Sequence, residues 1–208
     1  MSYEASFQKL PKIDTPRLIL RQIRPSILDS KDSLEFINDY SMCRYWGLYD
    51  DSPPNQTGKR PTFIHKTNYH YYNTMDEYLA GNELSWLLEL KDSQKVIGEI
   101  VLYDFKFKKQ ADLGYRINKK YWNQGFASEA GHGVIKFAFE YMNLVRLQIR
   151  CHANNPASKK VAQNLNFRKE GFIKKGAIIN TMEDYYIFGY LKDDYKKRTI
   201  DKAYTIIG

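Results

Sequence analysis

Between residues 84 and 150 the apolar period of the chain switches from two to 3.6 and back to two. A chain with that switch has to lay helices against a sheet, because each element carries one apolar face that must be buried. Leu84–Leu90, Val96–Asp104 and Ala111–Asn118 read as three successive strands. Lys91-Asp92-Ser93-Gln94 and the basic segment Lys106–Gln110 supply the turns between them. The period then becomes helical. Phe126, Ala130, Val134, Phe137, Ala138 and Tyr141 share one face, and Glu129, His132, Lys136 and Glu140 fall on another. Gly131 and Gly133 each cost that helix about 1 kcal/mol against Ala, which predicts close packing there. Val145–Arg150 alternates again.

Flanking segments extend the pattern. Arg17–Arg24 reads as a first strand ended by Pro25, and Asp29–Tyr40 and Tyr69–Leu79 read as helices. Residues 47–66 form a long irregular connection rich in Gly, Pro, Asn and Asp. Asn155-Pro156 opens a helix, with Asn as N-cap and Pro at the first helical position. Phe167–Ala177 and Thr181–Leu191 read as two closing strands, followed by a polar tail over 193–208. The order predicts one mixed α/β (α+β) domain over 1–208 with its core at 14–192.

Composition narrows the partners. The net charge is +8, but the Lys and Arg residues are scattered in short groups, so the expectation is a solvated basic surface without a dedicated nucleic-acid stripe. No apolar run approaches the roughly 20 residues of a membrane span, and the N-terminus lacks a basic-then-apolar signal. Cys43 and Cys151 have no CxxC spacing, and His65, His70, His132 and His152 have no ligand spacing. No metal, no membrane and a cytoplasmic location are therefore expected.

The chemistry centres on Tyr121-Trp122-Asn123-Gln124-Gly125-Phe126-Ala127-Ser128-Glu129-Ala130, which joins a strand to the long helix. A helix N-terminus presents amides with no intrahelical partner at the positive end of the helix dipole. Gly125 and Ala127 leave room for an anion to approach them, so the turn suits a phosphate or pyrophosphate, although small residues also mark ordinary strand-to-helix turns.

Four pieces in order resemble the GNAT superfamily of acyl-CoA-dependent N-acetyltransferases, in the branch of ribosomal-protein N-terminal acetyltransferases. They are Thr15-Pro16-Arg17-Leu18-Ile19-Leu20-Arg21; Val96-Ile97-Gly98-Glu99-Ile100; Ala111-Asp112-Leu113-Gly114-Tyr115-Arg116-Ile117 running into the turn above; and Asn155-Pro156-Ala157-Ser158 followed by Leu165-Asn166-Phe167. The resemblance implies a central, mostly antiparallel twisted sheet of about seven strands flanked by about four helices. It implies acetyl-CoA as co-substrate, with its pyrophosphate on the amides of Asn123, Gln124, Gly125, Phe126, Ala127 and Ser128. Arg116 and Ile117 would line a splayed strand that takes the pantetheine arm, and Asn155 is either a helix cap or a partner of that arm. Trp122 stands where many relatives have Gln or Arg, and Asn123 replaces a usual Gly, which puts the first bend of the loop in question.

Direct transfer requires a neutral amine, hence a base. Asp112 and Glu99 are the two candidates, each with a solvated or salt-bridged role as the alternative. The tyrosine that many relatives use to reprotonate the thiolate is replaced by Ala162, which leaves Ser158 or water. The acceptor implied is an amine on a protein N-terminus, a polyamine or an amino sugar, taken up by a monomer or homodimer. Tyr45, Trp46, Tyr69, Tyr71 and Tyr72 are candidates for an acceptor wall. The rival expectation is a non-catalytic module that keeps the fold and binds nucleic acid or a protein partner through its basic surface.

Overall fold

The alternating segments pair into one nine-stranded sheet. The structure is a computed structural model that describes residues 3–24, 26–37, 39, 45, 74–178, 181–197 and 203–208. Its strands are β1 (Lys12–Asp14), β2 (Leu18–Arg21), β3 (Glu83–Leu90), β4 (Val96–Lys106), β5 (Gln110–Ile117), β6 (Arg146–His152), β7 (Arg168–Ile178), β8 (Thr181–Leu191) and β9 (Thr205–Ile207). They lie in the order β7-β8-β6-β5-β4-β3-β2-β1-β9. The helices are α1 (Tyr3–Ser6), α2 (Ile27–Ile37), α3 (74–79), α4 (Phe126–Lys136), α5 (Pro156–Asn164) and α6 (Lys192–Lys196).

The class is the expected one, with nine strands in place of about seven and six helices in place of about four among the described residues. The extra strands, β1 and β9, are three residues each and pair with one another, Lys12 opposite Ile207. Three residues are too few for a period of two to register. The expected connection at 47–66, residues 69–73 of the expected second helix, and Trp46, Tyr69, Tyr71 and Tyr72 lie outside the described residues, as do Cys43, His65 and His70.

One face of the sheet is apolar. Leu84, Trp86 and Leu88 of β3, Ile100 and Leu102 of β4 and Leu113 of β5 are buried with Phe126, Ala130 and Val134 of α4. Burial of each large side chain contributes about 1.5–3 kcal/mol. Trp86 meets Phe137 edge to face at 5.5 Å between ring centroids, and its indole Nε1 donates to the Pro11 carbonyl at 2.8 Å. Past Lys136 the helix widens into a π turn, Phe137–Tyr141, where the Met142 amide reaches back to the Phe137 carbonyl. The close packing predicted for the helix glycines is present: a Cβ on Gly131 would stand 2.6 Å from the Leu165 side chain, and one on Gly133 would stand 2.8 Å from Ile13.

The opposite face carries charge. Leu87 lies across from Glu99, and Glu99 from Arg116, so the three share a side of the sheet. Phe36 and Ile37 of α2 pack there with Leu87 and Val96.

The strands are antiparallel neighbours except β5 and β6, which run parallel. Their pairing is brief: Gln110 with Arg146, Ala111 with Leu147 and Asp112 with Gln148. Beyond Asp112, β5 continues with β4 as far as Ile117, and β6 continues with β8 as far as His152. The two strands therefore part, and their facing N–H and C=O groups lose their ladder partners. Gly98 permits the course of β5 on the β4 side, because a Cβ there would stand 2.3 Å from the Arg116 carbonyl oxygen.

Candidate active site

A cavity of about 370 Å³ opens where β5 and β6 part. Leu113 to Ile117 line it from β5, Ile149 to His152 from β6, and Asn155, Ser158 and Lys160 are among those lining it from α5. The turn into α4 closes one end through Trp122, Asn123, Gly125, Phe126, Ala127 and Ser128. Gln124, expected with them, is exposed and outside the lining, its Nε2 donating to the Lys120 carbonyl at 3.2 Å.

The turn has a defined shape. Asn118 caps a short 3₁₀ turn, Lys119–Tyr121, by accepting from the Lys120 amide at 3.1 Å. The Trp122 indole donates to the Ile117 carbonyl at 2.6 Å and ties the turn to the end of β5. Asn123 (φ 60°) and Gly125 (φ 84°) are both left-handed. Asn tolerates that conformation better than other non-glycine residues, so the bend in question is made by Asn123 itself. Gly125 then serves as N-cap of α4 without a side chain, and the Glu129 amide on the Gly125 carbonyl (2.9 Å) begins the helical ladder. The amides ahead of Glu129 are those a helix start leaves without an intrahelical partner.

A clamp that the sequence did not disclose holds this turn. Glu129 is buried, and its carboxylate accepts from the Thr15 hydroxyl at 2.6 Å, the Arg17 amide at 2.7 Å and the Arg17 Nε at 2.7 Å. Arg17 also lies over the Phe126 ring, 4.1 Å from its centroid. Burial pushes the Glu129 carboxyl up, but the Thr15 and Arg17 hydrogen bonds outweigh it and hold the group below its ordinary value. Glu129, expected on the polar face of the helix, is buried instead, because three residues after Phe126 it lies close enough to the apolar side to meet the Thr15–Arg17 segment.

The two carboxylates expected as bases are both buried, and neither lines the cavity. Each stands behind an arginine that does. Glu99 pairs with Arg116 at 2.7 Å, beneath the Phe36 ring. Asp112 accepts from Arg150 Nε at 2.6 Å and from Gln148 Nε2 at 3.3 Å. Burial raises the Asp112 carboxyl, with Arg150 opposing. Tyr103, opposite Asp112 and lining the cavity, is pushed up to about 12 by burial and by the Asp112 charge. Asn155 is a helix cap, its Oδ1 accepting from the Ser158 amide at 3.1 Å, and it also lines the cavity. Ala162 is fully buried. Several lining residues lie beyond those expected at the site, among them Arg150, His152, and Tyr115, whose hydroxyl lies 3.0 Å from Ser158 Oγ and 3.1 Å from the Ser158 carbonyl.

A mixed sheet that parts beside the N-terminus of a helix is the GNAT fold. Residues 17–168 match the acetyltransferase (GNAT) domain family, and the chain belongs to that family, whose members transfer acetyl groups. It is 33% identical over 186 residues to the uncharacterized N-acetyltransferase YnaD of Bacillus subtilis, covering 88% of this chain and 98% of that one. The ribosomal-protein-S5-alanine acetyltransferase of Vibrio fischeri shares its fold at a TM-score of 0.64 and 22% identity, over 88% of this chain and 98% of the other. The spermidine N-acetyltransferase of Vibrio cholerae, solved with CoA and spermine, superimposes at a TM-score of 0.67 and 19% identity, over 86% and 98%. An acetyl-transferring enzyme is thus the supported class, ahead of the non-catalytic module.

Proposed function

We propose that the protein moves an acetyl group directly from acetyl-CoA to the α-amine of a peptide. The observation that carries this reading is the parting of β5 from β6 at Asp112, beside a helix start bent by two left-handed residues. The open strand edges offer hydrogen bonds to an extended, amide-bearing arm, and the turn offers backbone N–H groups to a pyrophosphate. In this reading residues 123–128 hold the pyrophosphate. Arg116 and Ile117 flank the arm, and a β5 amide polarises the thioester carbonyl as negative charge develops on its oxygen. The amine attacks that carbon, the C–S bond breaks, and the electron pair of that bond stays on sulfur.

We infer positioning roles for Glu99 and Asp112, because each fixes an arginine on the cavity wall. A carboxylate engaged by a guanidinium is a weak proton acceptor. His152 is the lining side chain of a type that exchanges protons near neutrality, and we assign it the proton of the incoming ammonium.

Charge supports the peptide over a polyamine. Among the described lining residues none is acidic, whereas Arg116, Arg150 and Lys160 are cationic. Such a wall repels a polycation and favours a peptide with acidic residues after its N-terminus. Acetyl-CoA at a hundredfold excess over its dissociation constant should stabilise the protein by about 2.7 kcal/mol, a rise of about 5–11 °C in Tm for a chain of this size. Gly125→Glu, which puts a carboxylate and a strained φ into the turn, should abolish that rise. A mutant that binds acetyl-CoA normally would show the turn to be misassigned. Thiol release with acidic N-terminal peptides, spermidine and an aminoglycoside tests the acceptor, and faster release with spermidine would overturn the peptide.

A further inference from the structure

Ala162 removes the tyrosine expected on α5, yet a phenol still reaches the same helix from the sheet. Tyr115 of β5 lines the cavity, and its hydroxyl is within hydrogen-bond distance of both the Oγ and the carbonyl of Ser158. A carbonyl can only accept, so the bond at 3.1 Å fixes the phenol as donor on that side. Between the two hydroxyls either oxygen can donate: a phenolic proton shared between the Ser158 carbonyl and Oγ frees the Ser158 proton, whereas one committed to the carbonyl draws the Ser158 proton to the phenol. Ser158 also lines the cavity. Its amide is held by Asn155, so its backbone and side chain are fixed from two directions.

We propose that Tyr115 is a positioning residue for the departing thiolate: its hydroxyl donates to Ser158 and turns the Ser158 proton toward the cavity. The inference rests on acetyl-CoA occupying the site. As the C–S bond breaks and its electron pair stays on sulfur, the Ser158 hydroxyl donates a hydrogen bond to that sulfur. Burial pushes the Tyr115 phenol well above its ordinary value, with Ser158 opposing, so the phenol keeps its proton and remains a donor throughout the neutral range.

The titratable groups around Ser158 are Tyr115 from β5, Cys151 and His152 from β6, and Lys159 and Lys160 from α5. Burial raises the Cys151 thiol, with a hydrogen bond from the Ser158 side chain and the Lys159 charge opposing, and its Sγ lies 3.4 Å from the His152 carbonyl and 3.5 Å from the Asn155 carbonyl. The cations of α5 would favour any thiolate bound nearby, so the experiment has to separate their general effect from one directed hydrogen bond.

Ultraviolet absorbance of bound CoA does so, read as a difference against the acetyl-CoA complex, which has no free thiol. In the wild type the bound thiol should titrate about one pH unit below free CoA, a tenfold effect of the size a hydrogen bond to a charged acceptor gives. Tyr115→Phe keeps the ring and its packing and should return most of that shift. Ser158→Ala should return it too, Ser158→Thr should preserve it, and the double variant should go no further than Ser158→Ala. An unchanged titration in Tyr115→Phe with CoA still bound overturns the positioning role alone, and assigns the shift to the cations of α5. Calorimetry that finds no CoA binding to the wild type overturns the acetyl-CoA reading and this inference with it.

Discussion

Replacing Glu129 with Gln tests whether the N-terminal segment holds the turn into α4. The carboxylate takes three donors, two of them from the fixed Thr15–Arg17 turn and one from the half-exposed Arg17 guanidinium. The amide of Gln offers one oxygen where the carboxylate offers two, and its NH₂ faces a donor. Leaving a buried donor without an acceptor costs about 1–3 kcal/mol. The Thr15 hydroxyl and the Arg17 amide already share Oε1, which the Gln oxygen can replace, so the acceptor lost is Oε2, facing Arg17 Nε, whose ion pair solvent screens to less than about 1 kcal/mol. The expected loss is about 1–3 kcal/mol, or about 2–12 °C in Tm for a chain of this length. The pH dependence has a definite sign. The folded-state carboxyl is held below its ordinary value, so its stabilisation is complete above the unfolded-state value near pH 4.3. It is lost as pH falls through the folded value. Urea denaturation of both proteins between pH 3 and 8 should give curves well separated at pH 7 that converge in acid. A gap that does not narrow at all as pH falls from 5 to 3, or no gap at pH 7, would refute the clamp. Because the same turn carries the proposed pyrophosphate amides, CoA affinity should fall with stability.

Gly98→Ala places a methyl group against the Arg116 carbonyl, and overpacking against backbone costs about 1–3 kcal/mol or more. Thermal denaturation should show the loss, together with weaker CoA binding, since β5 borders the cavity. Glu83→Gln should stabilise: burial, with Glu99 adding and Arg116 opposing, pushes the Glu83 carboxyl up to about 8. Folding is therefore disfavoured as pH rises from the unfolded value near 4.3 toward 8, and the gain in Tm from Gln should be full at pH 8 and vanish below pH 4. His152→Gln should remove an ionisation from the pH profile of turnover that Asp112→Asn retains, and the reverse pattern would restore Asp112 as the base.

The elements that could be read ahead were those whose signal lies within one segment. The change of period between residues 84 and 150 marked β3, β4, β5, α4 and β6, and the Asn155-Pro156 pair marked the cap that Oδ1 of Asn155 makes. What depends on register could not be read. That Glu99 faces Arg116 follows from how β4 slides on β5, and that Arg150 reaches Asp112 follows from a parallel pairing of strands separated by a whole helix. Their acidity was visible; the cations that engage them were not. Tyr115 was legible as a strand residue, but its partner Ser158 lies on another element 43 residues away. The short β1 and β9 were hidden because β9 forms only on β1, and β1 only between β9 and β2.

The indole of Trp122 has a practical consequence. It is anchored to the Ile117 carbonyl, is 39% exposed and borders the cavity, whereas Trp86 is sealed against Phe137 and Pro11. Trp46 lies outside the described residues. A molecule entering between β5 and the turn changes the polarity around the first indole and leaves the second untouched. The enzyme thus carries its own fluorophore at the mouth of its site, and emission from a Trp46→Phe protein would report occupancy without a label. Its spectrum would separate into a constant, blue-shifted component from Trp86 and a ligand-dependent one from Trp122.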